Sequence, residues 1–280
     1  MVDRFGRRLN YGTRGLRGIR GPPGIAGGIK DLMYTILYHL RKYDEIGCFI
    51  IESEKDVKRS GQKITTWVTK TEKSKNLIAI KGREATKIEQ ITDGKMVIKM
   101  DNCAYYLEKL LFGNEPGCGF ICITFQCNKS DHIMVLASNF TQMGVILHQT
   151  EEILCSQTHI IIRGHLNSKE HQHKIENDNK AWTTIFLQYN ITPDRKMLFE
   201  YTLQNQKHGT FEFQAPALMQ SGFFIGSRPI PHKEVQNEDT PIFFSGRISS
   251  FELYFSPDNT DTFPSDLKKA ILKDQTVDLI

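Results

Sequence analysis

The chain has 280 residues, of which 39% are hydrophobic and 24% charged, a composition that is ordinary for a soluble globular protein and sufficient for one sizeable core. No run approaches the roughly 18 apolar residues that a membrane span requires, and the basic first residues lack the apolar segment of a secretory signal peptide. The formal net charge is +4, yet residues 1–28 alone hold six arginines against Asp3, so the rest of the chain is close to neutral.

Residues 1–28 are predicted to form a basic, collagen-like stalk. Glycine recurs at every third position, at Gly12, Gly15, Gly18, Gly21, Gly24 and Gly27. Three polyproline-II strands wind about one axis in a collagen triple helix, and only glycine fits at that axis. Pro22 and Pro23 favour the same backbone. The alternative is a glycine-rich flexible linker, which has no reason to keep this spacing.

The stalk also carries the excess positive charge. Its arginines are Arg4, Arg7, Arg8, Arg14, Arg17 and Arg20. In a trimer this charge is tripled, and a dense cationic stem attracts polyanions such as glycosaminoglycan, nucleic acid or an acidic protein surface. The alternative is that these arginines only solvate a thin rod.

Residues 29–46 are predicted to form a coiled-coil trimerisation neck. Apolar residues at a and d spacing are Ile29, Met33, Ile36, Leu40 and Tyr43, and Gly47 is a natural helix stop. A helix of this kind directly after a Gly-X-Y run can align three chains. The alternative is an amphipathic helix packed on the head. In its layout of collagen run, helical neck and head, the chain resembles the collagenous trimeric binding proteins such as the collectins, although the calcium motif of C-type lectins is absent.

Beyond residue 47 the sequence is predicted to be mainly β. Apolar runs of strand length alternate with turn signals, and we predict strands over 48–51, 64–68, 77–80, 96–100, 120–125, 133–136, 144–147, 159–162, 184–189, 197–203, 209–213, 223–225, 242–244 and 247–255. Two helical stretches are predicted, at 104–111 and 264–273. Short strands in succession imply an antiparallel sandwich. We predict a β collar or small subdomain over 47–95 and the main head over 96–280.

The later strands resemble those of a laminin-G-like, concanavalin-A-type jelly roll. The residues that carry the resemblance are the run GFICITF at 119–125, the pair AWTTIFLQYN at 181–190 and MLFEYTL at 197–203, then SGFFIG at 221–226 and FSGRISSFELY at 244–254. In the last run, Gly246 is expected to let the strand enter tightly and Tyr254 to anchor its edge. The resemblance implies binding of glycans, proteoglycans or protein receptors at a sheet rim, often with calcium, although the calcium ligands of the family cannot be carried over to named positions here.

Candidate chemical groups in the head are few. The loop acids Asp131, Asp194 and Asp258 are candidate calcium ligands, and His165, His171 and His173 occur in a polar stretch that is predicted to be a solvated loop. Metal binding is therefore left open. The sequons at Asn128, Asn139 and Asn190 are candidate glycosylation sites in a secreted protein. The six cysteines match no zinc pattern and are either disulfides or buried thiols. Trp67 and Trp182 are predicted to be buried.

No nucleophile elbow, P-loop or His-Glu-x-x-His motif occurs in the sequence. The three-part layout therefore favours a non-enzymatic homotrimer that binds a cell-surface glycan or protein receptor, located outside cells or on a virion surface as a spike or fibre. Two alternatives stay open. One is a purely structural collagen-like capsid or matrix component. The other is a glycan-cleaving jelly-roll enzyme, which requires two carboxyl groups about 5–9.5 Å apart.

Overall fold

The computed structural model describes thirteen stretches of the chain: residues 45–70, 75–91, 96–110, 117–128, 132–143, 146–156, 158–166, 169–177, 182–192, 196–203, 208–214, 221–228 and 242–256. The glycines and arginines of the predicted stalk lie outside these residues, as do the predicted trimerisation residues Ile29 to Tyr43 and the second predicted helix. Within the described stretches, no helix is both long and apolar enough to cross a lipid bilayer.

The described chain is built almost entirely of strands, with one 3₁₀ turn at Glu54–Asp56. In chain order the strands are β1 (Glu45–Ile50), β2 (Val57–Ser60), β3 (Lys63–Trp67), β4 (Leu77–Ala79), β5 (Lys87–Gln90), β6 (Met96–Asp101), β7 (Tyr105–Leu110), β8 (Gly117–Cys127), β9 (Met134–Met143), β10 (Ile146–Cys155), β11 (His159–Leu166), β12 (Lys169–Glu176), β13 (Thr183–Ile191), β14 (Lys196–Leu203), β15 (His208–Gln214), β16 (Ser221–Ile225), β17 (Ile242–Phe243) and β18 (Ser245–Ser256).

These strands form two sheets. The eight-stranded sheet has the order β15-β14-β13-β8-β18-β6-β5, with β1 paired to β18, and the ten-stranded sheet has the order β12-β11-β10-β9-β16-β7-β4-β3-β2, with β17 paired to β9. Apart from the parallel β17–β9 contact, the pairings between these strands are antiparallel. The predicted antiparallel β-sandwich is therefore confirmed for the described residues.

One hydrophobic core fills the space between the sheets. Phe49 from β1 stacks on Phe251 from β18 at 6.0 Å between ring centroids and meets the edge of Trp67 from β3 at 5.9 Å. All three rings are fully buried, and aromatic pairs in this arrangement add stability beyond the area that they remove from water. Trp67 is thus buried as predicted, and Trp182, which is 7% exposed, is buried as well.

Strand β18 lies in the interior of the eight-stranded sheet. On one side it pairs with β8 along its length, and on the other it pairs first with β6 and then with β1. Its residues Ile248, Phe251 and Leu253 are buried in the core. A Cβ atom at Gly246 would lie 2.1 Å from the carbonyl oxygen of Gln126, so the predicted tight entry of the strand at this glycine is confirmed.

The described part of residues 47–95, predicted to be a β collar or small subdomain, contributes strands to both sheets of this sandwich. Strands β1 and β5 pair within the eight-stranded sheet, while β2, β3 and β4 form one edge of the ten-stranded sheet. Their side chains, including Ile64 and Leu77, join the common core. Gly47, expected to end a helix, lies inside β1 opposite Leu253.

Two local predictions are also wrong. Residues 105–110 form strand β7 rather than a helix, because Tyr105 and Leu107 point into the core on alternate positions while the backbone bridges β4 and β16. Residues 169–176 form strand β12 rather than a solvated loop, because they pair with β11 and bury Ile175. In both cases the tertiary pairing decides the local structure.

Candidate functional site

The asparagines of the three sequons lie in different parts of the sandwich. Asn128 is exposed just beyond β8, where its Nδ2 donates a hydrogen bond to Ser245 Oγ at 2.7 Å. Asn139 lies on β9 and Asn190 lies half-buried on β13. The predicted calcium ligands Asp131, Asp194 and Asp258 lie outside the described residues.

The three histidines lie on neighbouring strands, His165 on β11 and His171 and His173 on β12. The ring of His173 is stacked on Phe211 of β15, with 4.6 Å between centroids and 12° between planes. Burial lowers the pKa of His173. Within the part of the chain that the structure describes, no group of three or more His, Cys, Asp or Glu residues is arranged to hold a metal ion.

A different set of polar residues meets on the outward face of the eight-stranded sheet. Lys87 on β5 lies directly opposite Lys99 on β6, and Lys99 lies directly opposite Arg247 on β18. The intervening residues Ile88, Ile98 and Ile248 contribute to the core. Since side chains alternate along a strand, the three cations point away from the core. We call Lys87, Lys99 and Arg247 the cationic row.

One carboxylate is shared by two members of the row. Arg247 Nε donates to Glu89 Oε2 at 2.6 Å, while Lys99 Nζ lies 3.7 Å from Glu89 Oε1. The hydrogen bond from Arg247 holds the pKa of Glu89 below its usual range. Arg247 Nη1 also donates to Gln126 Oε1 at 3.1 Å, which fixes the plane of the guanidinium. Glu89 therefore orients the arginine and stays ionised at neutral pH.

Positive charge exceeds negative charge along the row. Three cations face the carboxylate of Glu89, and the next acid along β6, Asp101, is exposed two residue pairs beyond Lys99. Like charges placed directly opposite on adjacent strands destabilise a sheet. The side chains of Lys99 and Arg247 are 39% and 34% exposed, so their polar ends reach solvent. This surface is suited to binding an anionic group.

The ten-stranded sheet has a contrasting charged cluster on its outward face. Glu152 of β10 is 1% exposed, and its carboxylate lies 3.2 Å from Arg228 Nε and 3.7 Å from Arg163 Nη1. Breaking a buried ion pair leaves an uncompensated charge and is costly. We therefore assign this cluster to the stability of the sheet, and the cationic row is the stronger candidate for a binding site.

The sequence carries little signal for the cationic row. Lys87 and Lys99 are separated from Arg247 by about 150 residues of chain, and no other basic residue is adjacent to any of the three in the sequence. Alternation predicts that Lys99, between Ile98 and Met100, and Arg247, next to Ile248, point outward. The strand order and register, which place the three cations side by side, follow from long-range pairing that no local pattern encodes.

The comparisons with known proteins assign the chain to no family. No family model matches the sequence, and no curated protein matches it significantly. The binding domain of botulinum neurotoxin serotype D/C is similar with a TM-score of 0.47 and 9% identity, over 78% of this chain and 53% of that chain. This chain thus spans about half the length of the toxin domain.

Two smaller proteins are similar over most of their length. A family 7 alginate lyase, A1-II′, gives a TM-score of 0.40 with 14% identity, over 65% of this chain and 86% of the lyase. The CBM40 domain of a Ruminococcus gnavus IT-sialidase, solved with α2,3-sialyllactose, gives a TM-score of 0.37 with 11% identity, over 60% and 85% of the two chains. At these scores the likenesses carry no argument about function.

Proposed function

We propose that this chain is a homotrimeric, non-enzymatic attachment protein whose β head binds an acidic cell-surface glycan through the cationic row. The observation that carries the proposal is the alignment of Lys87, Lys99 and Arg247 on three adjacent strands with one balancing carboxylate. The proposed setting is extracellular or on a virion surface. The predicted stalk and neck supply the trimer, which multiplies weak sites by avidity.

The geometry of the row suits a charged sugar chain. Adjacent strands are about 4.8 Å apart, so three strands span about 10 Å, comparable to the length of a disaccharide. With Nε and Nη1 of Arg247 already donating to Glu89 and Gln126, the Nη2 end of the guanidinium is the part that can donate to a carboxylate or sulfate. Lys87 and Lys99 act as point charges on flexible stems and tolerate variation in where the acidic groups lie. Such a surface favours anionic glycans over neutral ones.

The binding experiment measures the affinity of the full-length chain for immobilised heparin at about 0.15 M salt, where distant charges are screened. The variant carries Lys87→Gln and Lys99→Gln. The matched control carries Lys58→Gln and Lys174→Gln, which removes the same charge from exposed positions on the ten-stranded sheet. If each exposed cation contributes about 0.5–1 kcal/mol, the row variant loses roughly fivefold to thirtyfold in affinity per head and the control loses much less.

A third variant separates the head from the stalk. Replacing Arg4, Arg7, Arg8, Arg14, Arg17 and Arg20 by glutamine removes the predicted polyanion-binding stem and leaves the row intact. The proposal is overturned if this variant abolishes heparin binding while the row variant binds like its control. If the chain binds neither acidic nor neutral glycans, the result supports a purely structural component instead. Release of shortened glycan products, followed by mass spectrometry, supports the enzyme alternative.

A further inference from the structure

Two cysteine thiols meet where the two sheets of the sandwich converge. Cys127 is the last residue of β8 in the eight-stranded sheet, and Cys155 is the last residue of β10 in the ten-stranded sheet. Cys127 Sγ donates a hydrogen bond to Cys155 Sγ at a distance of 3.2 Å. Cys155 is buried in the core and Cys127 packs against it while keeping partial exposure. The pair therefore bridges the interior at one end of the sandwich.

The surrounding backbone holds the two strand ends together. Cys127 is paired with Gly246 of β18, and Cys155 is paired with Met134 of β9. The backbone N–H of Ser245, next to Gly246, donates to Met134 Sδ at 3.4 Å and so joins the neighbours of both cysteines. Asn128 N–H also donates to the carbonyl of Ser245 at 3.0 Å. The approach of the sulfurs is thus fixed by contacts on both sheets.

The other described thiols are placed differently. Cys48 and Cys122 are each paired with Glu252, on opposite sides of β18. They are therefore two strands apart, about 9.6 Å at the usual strand spacing, which exceeds the reach of a disulfide. Cys103 Sγ donates to the carbonyl of Asp101 in its own turn. Among the cysteines whose side chains are described, Cys127 and Cys155 are the pair in mutual contact.

We propose that Cys127 and Cys155 form an intrachain disulfide that joins the two sheets. The closure requires the sulfurs to approach by about 1 Å from their present contact to the bonded distance, which small side-chain rotations supply. The bond closes a loop across 28 positions of sequence. Restricting a loop of that size in the unfolded chain stabilises the folded state.

The oxidant is a low-molecular-weight disulfide such as oxidised glutathione. The thiolate of Cys127 attacks one sulfur of the oxidant, which forms a mixed disulfide and releases one glutathione thiolate. Cys155 then loses its proton and attacks Cys127 Sγ, and the second glutathione leaves as thiolate. Both thiolates take up the two protons from the protein, so two protein thiols are oxidised and one glutathione disulfide is reduced to two glutathiones.

The different exposure of the two thiols determines which of them reacts first. Cys127 is the partly exposed thiol and meets the oxidant first, because Cys155 is closed off by the core. Burial raises the pKa of the Cys155 thiol, so Cys155 enters the exchange as a thiol that loses its proton during the second step. We therefore expect glutathione to add to Cys127 and the intrachain bond to close by attack of Cys155.

The experiment treats the folded, reduced full-length chain with oxidised glutathione, blocks remaining thiols with an alkylating agent and maps the peptides by mass spectrometry. The expected product is a cross-linked peptide pair containing Cys127 and Cys155, in a chain lighter by two hydrogen atoms. The Cys155→Ala variant should stop at the glutathione adduct on Cys127. The Cys127→Ala variant should leave Cys155 unmodified, and the matched control Cys103→Ala should cross-link as the unaltered chain does.

Two results would overturn the proposal. One is a folded chain in which Cys127 gains glutathione but no cross-link to Cys155 forms at long reaction times. The other is a cross-link from Cys127 to a different cysteine. Peptide mapping of the oxidised, unaltered chain tests the proposed disulfide directly, even if a substituted chain fails to fold. Because it does not involve glycan, its outcome is independent of the cationic row.

Discussion

His173 is held between aromatic rings that close the sandwich at the β12 side. Its ring lies nearly parallel to Phe211, and Phe211 is stacked in turn on Phe199 at 4.8 Å between centroids. Tyr201 contacts the same histidine at 5.4 Å. Burial in this stack disfavours the charged imidazolium and lowers the pKa of His173. The neutral ring is therefore the form that the fold stabilises.

The lowered pKa predicts a loss of stability on mild acidification. Between the folded pKa and the unfolded value near 6.5, the unfolded chain binds more protons than the folded chain. The free energy of unfolding therefore decreases as the pH falls below about 6.5. The His173→Phe variant keeps an aromatic ring in the stack and removes this titration, so its free energy of unfolding should change less between pH 7 and pH 5.

Urea denaturation at the two pH values measures this difference. His132→Gln is the control, because His132 is an exposed histidine outside the stack, so this variant removes a histidine and leaves the stack intact. An equal pH dependence in His173→Phe and in the unaltered chain would show that His173 does not control the response. Acid-sensitive carboxylates elsewhere contribute equally to all three proteins and cancel in the comparison.

At the level of elements, β18 is the strand on which most of the eight-stranded sheet depends. It contacts β8, β6 and β1 through one continuous stretch, and Gly246 allows its backbone to enter beside Gln126. The missing side chain at this position is a packing requirement rather than a matter of backbone flexibility, because a Cβ atom there would overlap the Gln126 carbonyl.

The Gly246→Ala substitution should therefore be strongly destabilising. Relieving the overlap requires β18 to move from β8, and overpacking of this kind costs about 3 kcal/mol. Ser249→Ala on the same strand is the control, since Ser249 is partly exposed and surface changes stay within about 0.5 kcal/mol. Thermal and urea unfolding measure both variants. Equal stability of Gly246→Ala and Ser249→Ala would contradict the close approach.

The elements differ in how well the sequence predicts them. The apolar alternation in β13, β14 and β18 is strong, and those strands occur as predicted. Strand β12 is polar except at Ile175, so its sequence predicts a loop. Its stability as a strand comes from pairing with β11 and from the ring stack that includes His173. The run at 105–110 contains leucine, lysine and glutamate, which favour a helix locally, and only its two sheet neighbours make it β7.

The candidate site was less predictable than the fold for the same reason. Burial of Trp67 follows from its own hydrophobicity and its place in a strand pattern. To predict that Lys99 lies beside Lys87 and Arg247, one must already know that β6 lies between β5 and β18. The same holds for the approach of Cys127 to Cys155, which depends on how the two sheets pack. Pairings between distant strands are set by the whole core, so single-sequence patterns do not reveal them.

At the level of the whole molecule, the neck residues are predicted to determine the oligomeric state. The expected full-length species is a trimer, and replacing Ile36 and Leu40 by lysine should dissociate it, because charges would be placed in the apolar seam. The control changes Lys30 and Arg41 to glutamate, which lie off the predicted seam and should leave the trimer intact. Sedimentation equilibrium gives the mass of each species.

Circular dichroism should show the same β content in both neck variants, because the described sandwich does not include those residues. A monomeric unaltered chain would contradict the predicted neck and with it the avidity part of the proposed function. A trimer that persists in the Ile36→Lys and Leu40→Lys variant would place the association elsewhere on the chain.

The pairing of β1 with β18 also has a mechanical consequence. The six residues of β1 are registered against Ser250 to Phe255, and Glu45 lies opposite Phe255. A pull on Glu45 along the strand axis acts in shear and loads the hydrogen bonds of this register together, whereas a perpendicular pull would open them one after another. A head tethered through β1 is therefore expected to resist tension best when the tether runs parallel to its strands.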